Sequence, residues 1–210
     1  MAPEGSPVIY RNLRHFIEEY QPEAWSLRGA RMIEPVSQGD YDGLCGLYCI
    51  INAIRLVVAP YRDLSHGDVA QLFKAGVKFL DRRGSLPTAV HSAVGKAAWP
   101  LLAEHVADAA HKLGRFRIDL SQPITSRSAN SAVIRGLERL ITSGQAPMVF
   151  MRGKYRHYTV ISGYTPASFK LFDSFGYHWV RRSSCNLAKT DKRTLHRFHI
   201  DSLIAVSATR

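Results

Sequence analysis

Residues 146–182 read APMVFMRGKYRHYTVISGYTPASFKLFDSFGYHWVRR, and the fold class turns on them. The segments 146–151, 157–164, 168–175 and 177–182 are rich in Val, Ile, Phe and Tyr. Gly, Pro and short polar turns separate them. This is the signature of consecutive strands. Just upstream the period is 3.6 instead of 2. Residues 130–142 read as a helix ended by Gly144. Residues 116–120 (FRIDL) alternate and predict a short strand. Residues 87–112 are Ala-rich and predict a helix interrupted at Pro100. Residues 66–80 predict an amphipathic helix, with Val69, Leu72, Phe73, Val77 and Leu80 on one side.

Further upstream, the run from Leu44 to Ala59 (LCGLYCIINAIRLVVA) predicts a strongly apolar helix. It stops before Pro60, with Asp42 available as its N-cap. Residues 28–36 are mixed and read as extended. Residues 11–20 place Leu13, Phe16 and Ile17 at helical spacing. At the other end, 201–208 (DSLIAVSA) predicts a last strand. Helices first and an antiparallel sheet second is an α+β order. The expected organisation is one domain over 1–210, with a helical half at about 11–145 and a sheet half at about 146–208.

The chain has 210 residues, 46% hydrophobic and 21% charged. That composition excludes a disordered chain, a collagen-like chain and a disulfide scaffold. A chain of this length buries roughly 70% of its unfolded surface and needs no disulfide or metal to fold. No uncharged apolar run approaches the ~20 residues of a membrane span. MAPEGSPVIYRNLRHF at the start has no apolar signal region. Three Cys is an odd count, which favours reduced thiols. The expected location is therefore cytoplasmic, or secreted or injected without a cleavable signal. The net charge is +11. Residues 152–210 hold eleven Lys+Arg against three Asp+Glu, whereas residues 1–151 hold 17 against 14. A basic face attracts anionic partners in general. Nothing here makes it a nucleic-acid signature, and no nucleic acid is expected.

The chemistry concentrates in two distant motifs. The first is Ser37-Gln38-Gly39-Asp40-Tyr41-Asp42-Gly43-Leu44-Cys45-Gly46. A thiol in the first turn of a helix meets unpaired backbone N–H groups and the positive end of the helix dipole, which favour the nucleophilic thiolate. Gly43 and Gly46 remove side chains around Cys45, so a substrate backbone can approach. The Gln38 amide, in the preceding loop, can join the Cys45 backbone N–H as an oxyanion donor. A buried free Cys is more often simple core packing, and Cys49, one turn further on, is read that way. A zinc site from Cys45, Cys49 and two His lacks a second paired motif, because His196 and His199 form an isolated H-x-x-H. No metal and no cofactor are expected.

The second motif runs from Tyr155 to Tyr164 and on to Gly176. His157 opens one strand and Asp173 closes the next. A hairpin turning near 165–167 brings both to the same edge. That is what a carboxylate orienting an imidazole requires. Singly, His157 reads as a satisfied histidine and Asp173 as a turn cap; jointly they are hard to place by chance. His178 and Trp179 follow and are candidates to line a cleft, with core or rim packing as the alternative. Lys154 and Arg156 flank His157, and Arg181 and Arg182 follow; they favour an acidic substrate or are solvated strand ends.

The order Gln38, Cys45, His157, Asp173 resembles the papain-like cysteine peptidase superfamily, and within it the bacterial double-glycine leader peptidase-like members. The resemblance covers roughly 37–58 and 147–180. Two features depart from it. The Gln-to-Cys interval is one residue longer than usual, and Leu44 stands where those peptidases usually carry Asp. The Trp that follows the nucleophile in papain is also absent. The resemblance implies a papain-like fold, with the nucleophile helix packed on the sheet. It also implies a cysteine protease with Cys45, His157 and Asp173 as its triad, acting on a peptide or protein. Transglutaminase-like proteins, arylamine acetyltransferases and bacterial effector deamidases share the Cys, His, Asp order. A glutamine deamidase or acyltransferase therefore stays open, as does an inactive basic binding module.

Overall fold

The computed structural model describes residues 24–39, 42–114, 116–124, 130–153, 156–186 and 196–210. The helix expected over 11–20 lies outside these, as do Asp40, Tyr41, Lys154 and Tyr155. The chain is α+β, with helices first and a mainly antiparallel sheet after them.

The apolar run becomes helix α1, Cys45–Val58. Only Tyr48 and Arg55 escape burial along it. A helix apolar on all sides belongs in an interior, and α1 packs against the sheet and against two helices. Its N-cap is Leu44 and not Asp42. Asp42 acts one step earlier, accepting the Leu44 N–H on Oδ1 at 3.0 Å.

Helix α2, His66–Arg82, starts in a capping box between Ser65 and Asp68. The Ala-rich stretch forms two helices, α3 (Leu86–Ser92) and α4 (Ala98–Leu113). The break lies at 93–97, not at Pro100. Pro100 falls in the first turn of α4, where the missing N–H costs nothing. Ala93 ends α3 at φ 73°, ψ 166°, a region open mainly to glycine. Helix α5 spans Asn130–Thr142.

The strands are β1 (Trp25–Ser26), β2 (Arg117–Ser121), β3 (Ala146–Gly153), β4 (His157–Tyr164), β5 (Ser168–Phe172), β6 (Trp179–Arg181), β7 (Cys185–Asn186) and β8 (His196–Thr209). The main path runs β2-β8-β3-β4-β5-β6, with β1 on β4 and β7 on β8. All pairs are antiparallel except β7 with β8. Several expectations shift. Residues 28–31 form a 3-10 turn and are not extended. The third strand of the quoted stretch stops at Phe172, so Asp173 opens a turn. The fourth shrinks to 179–181. The last strand is longer than expected, because β8 pairs with β3 along one edge and β2 along the other. The two-residue β1 and β7 are too short for a periodic signal.

Strand β4 is buried over its whole length, so both its faces are covered. Its apolar Tyr158, Val160, Ile161 and Tyr164 are buried together with the polar His157, Thr159 and Ser162. Helices α1 and α5 both pack on it. Trp99 of α4 ties the layers together. Its ring stacks on Tyr158 of β4 at 4.1 Å between centroids, and its Nε1–H donates to the Ser202 carbonyl of β8 at 2.8 Å.

Candidate active site

Cys45 is the first residue of α1 and His157 the first of β4. Because α1 lies on β4, these two ends meet. The β4–β5 register pairs Val160 with Phe172. Asp173, one residue beyond β5, thus falls near Thr159 and diagonal to His157. All three groups are nearly inaccessible: Cys45 is 4% exposed, His157 8% and Asp173 3%.

His157 Nε2 lies 2.8 Å from Asp173 Oδ2, and Cys45 stands beside the same ring in the cleft. Since Nε2 is engaged, Nδ1 is the ring nitrogen left for a second partner. The other Asp173 oxygen accepts the Phe175 N–H at 2.8 Å and the Tyr177 N–H at 3.3 Å. The carboxylate is therefore locked, and it locks the ring in turn. Burial is the largest influence on His157 and pulls its pKa down. The hydrogen bonds and negative charge of Asp173 and Cys45 outweigh it and raise the pKa from 6.5 to about 9. Burial pushes Asp173 up, but His157, Thr159 and the Phe175 N–H bring it below the ordinary carboxylate value. The imidazolium form is thus favoured beside Cys45.

Gln38 reaches this site from the loop before α1. Its backbone N–H donates to the Ser174 carbonyl at 2.8 Å, and Ser174 Oγ donates to Gln38 Oε1 at 3.3 Å. Its Nε2 donates to the Asp42 carbonyl. An amide nitrogen has two N–H groups, so one remains for a ligand. Gln38, Cys45 and His157 line one cleft of about 430 Å³. The longer Gln-to-Cys interval does not prevent this approach.

The remaining sequence candidates divide. Gly43 lines the cleft, but a Cβ there would stand 2.5 Å from the Val90 carbonyl oxygen, so the glycine admits α3. Gly46 is buried against Val94 and Trp99, at 3.1 Å and 3.3 Å from a would-be Cβ. Both glycines make room for the protein's own chain, and Gly43 also stands on the cleft wall where the sequence placed it. His178 lies in a neighbouring cavity of about 320 Å³, behind Asp173. Trp179 sits on β6, 58% exposed. Neither lines the cleft of Cys45.

Burial raises the Cys49 thiol well above its ordinary value, and the nearby charges of Asp173 and Cys45 add to this. Burial pushes Cys185 to about 12. Neither is a nucleophile at neutral pH. His196 and His199 both lie on β8. Among the described residues no three metal-ligating side chains cluster. Arg182 is held by Glu138 and lies 5.2 Å over the Phe169 ring, so it is a packing residue.

The cleft also holds residues that the sequence did not signal: His91, Ser92 and Ala93 at the end of α3, and Phe175 and Tyr177 in the turn after Asp173. Tyr177 packs edge-on to His157 at 5.6 Å. No motif marks them, because only the docking of α3 on the Gly43 loop brings the first three to Cys45. No family model matches the chain, and no curated protein matches it.

Proposed function

We propose that this protein is a thiol-dependent hydrolase with a papain-like arrangement, a cysteine peptidase that cleaves a peptide bond through a thioester on Cys45. The reading is carried by one observation: His157, hydrogen-bonded to Asp173, shares a cleft with a cysteine that opens a buried helix. Cys45 Sγ attacks the scissile carbonyl carbon. The Cys45 backbone N–H and the free Gln38 N–H stabilise the resulting oxyanion. His157 then protonates the leaving amine, and the C–N bond breaks to give the thioester. A water molecule loses a proton to His157 and attacks the thioester carbon. The thiol departs and the carboxylate product is released. Asp173 holds the ring in the tautomer that faces Cys45.

Intact-mass spectrometry of candidate proteins and peptide mixtures, with and without the protein, tests the reading. Chain cleavage that disappears in Cys45→Ala is the expected result. A Cys45-dependent conversion of a glutamine amide to acid, or a cross-link, without chain cleavage would replace the peptidase by a deamidase or acyltransferase. Equal iodoacetamide labelling of wild type and Cys45→Ala at pH 6 would remove the nucleophile itself.

A further inference from the structure

We propose that the cleft beside Cys45 selects substrates carrying an acidic side chain, held between Arg156 on one wall and His91 on the other. This rests on Cys45 being the nucleophile. The two side chains belong to different layers. His91 lies at the end of α3, which is fastened to the loop before Cys45 by the Gly43 N–H donating to Val90 at 2.6 Å. Arg156 immediately precedes His157 on the sheet side. Both line the cleft and both are exposed. A chain lying across Cys45 passes between them.

No carboxylate side chain lines this cleft among the described residues. Asp173 lies behind His157 with all its contacts turned inward. Some basic side chains elsewhere are matched: Arg62 with Asp68, Lys96 with Asp201, Arg117 with Asp119 and Arg182 with Glu138. Arg156 and His91 have no such partner among the described residues. An arginine fork left open at the mouth of a reactive site is complementary to a carboxylate. The net charge of +11 supports the same sign of substrate at longer range.

The test compares the rates at which iodoacetate, which is anionic, and iodoacetamide, which is neutral, alkylate Cys45 in the full chain at low ionic strength. The expected result is a ratio that falls several-fold in Arg156→Glu, less in Arg156→Gln, and further when His91→Glu is added. Lys112→Glu makes the same change in net charge at the far end of α4 and should leave the ratio unchanged. High salt should narrow the gap between wild type and Arg156→Glu. A ratio that ignores Arg156 overturns the inference, provided melting curves show the variants folded; Arg156 is exposed, so they should be. Cleavage profiling on a mixed peptide library adds a second arm. Acidic residues enriched at one fixed distance from the cut, with the enrichment lost in Arg156→Glu, are expected. Cys45-dependent cleavage without such enrichment overturns the inference alone. No Cys45-dependent labelling at all overturns both the inference and the reading beneath it.

Discussion

His157 is buried beside Asp173 and Cys45, and their influence outweighs the cost of burying it. The consequence for stability has a definite sign. A histidine whose pKa is raised on folding contributes fully below its unfolded value near 6.5, and that contribution fades as pH rises through about 9. Asp173, held low, contributes above its ordinary value of 3.8 and loses that contribution as pH falls through its depressed one. The difference in denaturant midpoint between wild type and His157→Gln should therefore be largest between about pH 5 and 6.5 and shrink steadily to about pH 9. A difference that grows above pH 7 would contradict the bridge. Gln38 is the second test at this scale. Gln38→Ala should lower the rate of Cys45-dependent cleavage by ~10²–10³ while the thiol still alkylates normally. Ser174→Ala, which frees Gln38 Oε1, should lower it less, and should add little once Gln38 is already Ala.

The elements explain why these groups converge. Helix α1 is legible in sequence because its apolar residues run all round it. The β4–β5 hairpin is legible because two apolar runs flank a Pro-containing turn. Together they predict the meeting of His157 with Asp173. Two other readings failed for local reasons. The Asp42 side chain serves a turn before the helix, not the helix itself. The Ala-rich stretch breaks over 93–97, at Ala93 with its positive φ and at Gly95, and not at Pro100. Two predictions belong here. Gly43→Ala should destabilise by about 2 kcal/mol, seen as a drop of several degrees in melting temperature, because its Cβ meets backbone carbonyls that cannot swing aside. Ala93→Gly should stabilise by about 1 kcal/mol by relieving a positive φ.

Across the whole molecule the cleft is a seam between the helical layer and the sheet. Trp99 joins that seam from inside, touching Tyr158 of β4 and the Ser202 carbonyl of β8. Trp99→Ala should cost ~3–5 kcal/mol in urea unfolding. It should also lower the alkylation rate of Cys45, because the distance between the layers sets the approach of His157. The sequence by itself determined the α+β order, the buried helix headed by Cys45 and the pairing of His157 with Asp173. Each of these follows from periodicity or from a hairpin, which are properties of neighbouring residues. Only the tertiary structure decided what lines the cleft: His91 and Ala93 from a distant helix, Phe175 and Tyr177 from a turn. It also decided that His178 and Trp179 stand outside it. Those assignments depend on how layers dock, and docking is a matter of shape and burial between segments that the chain order keeps far apart.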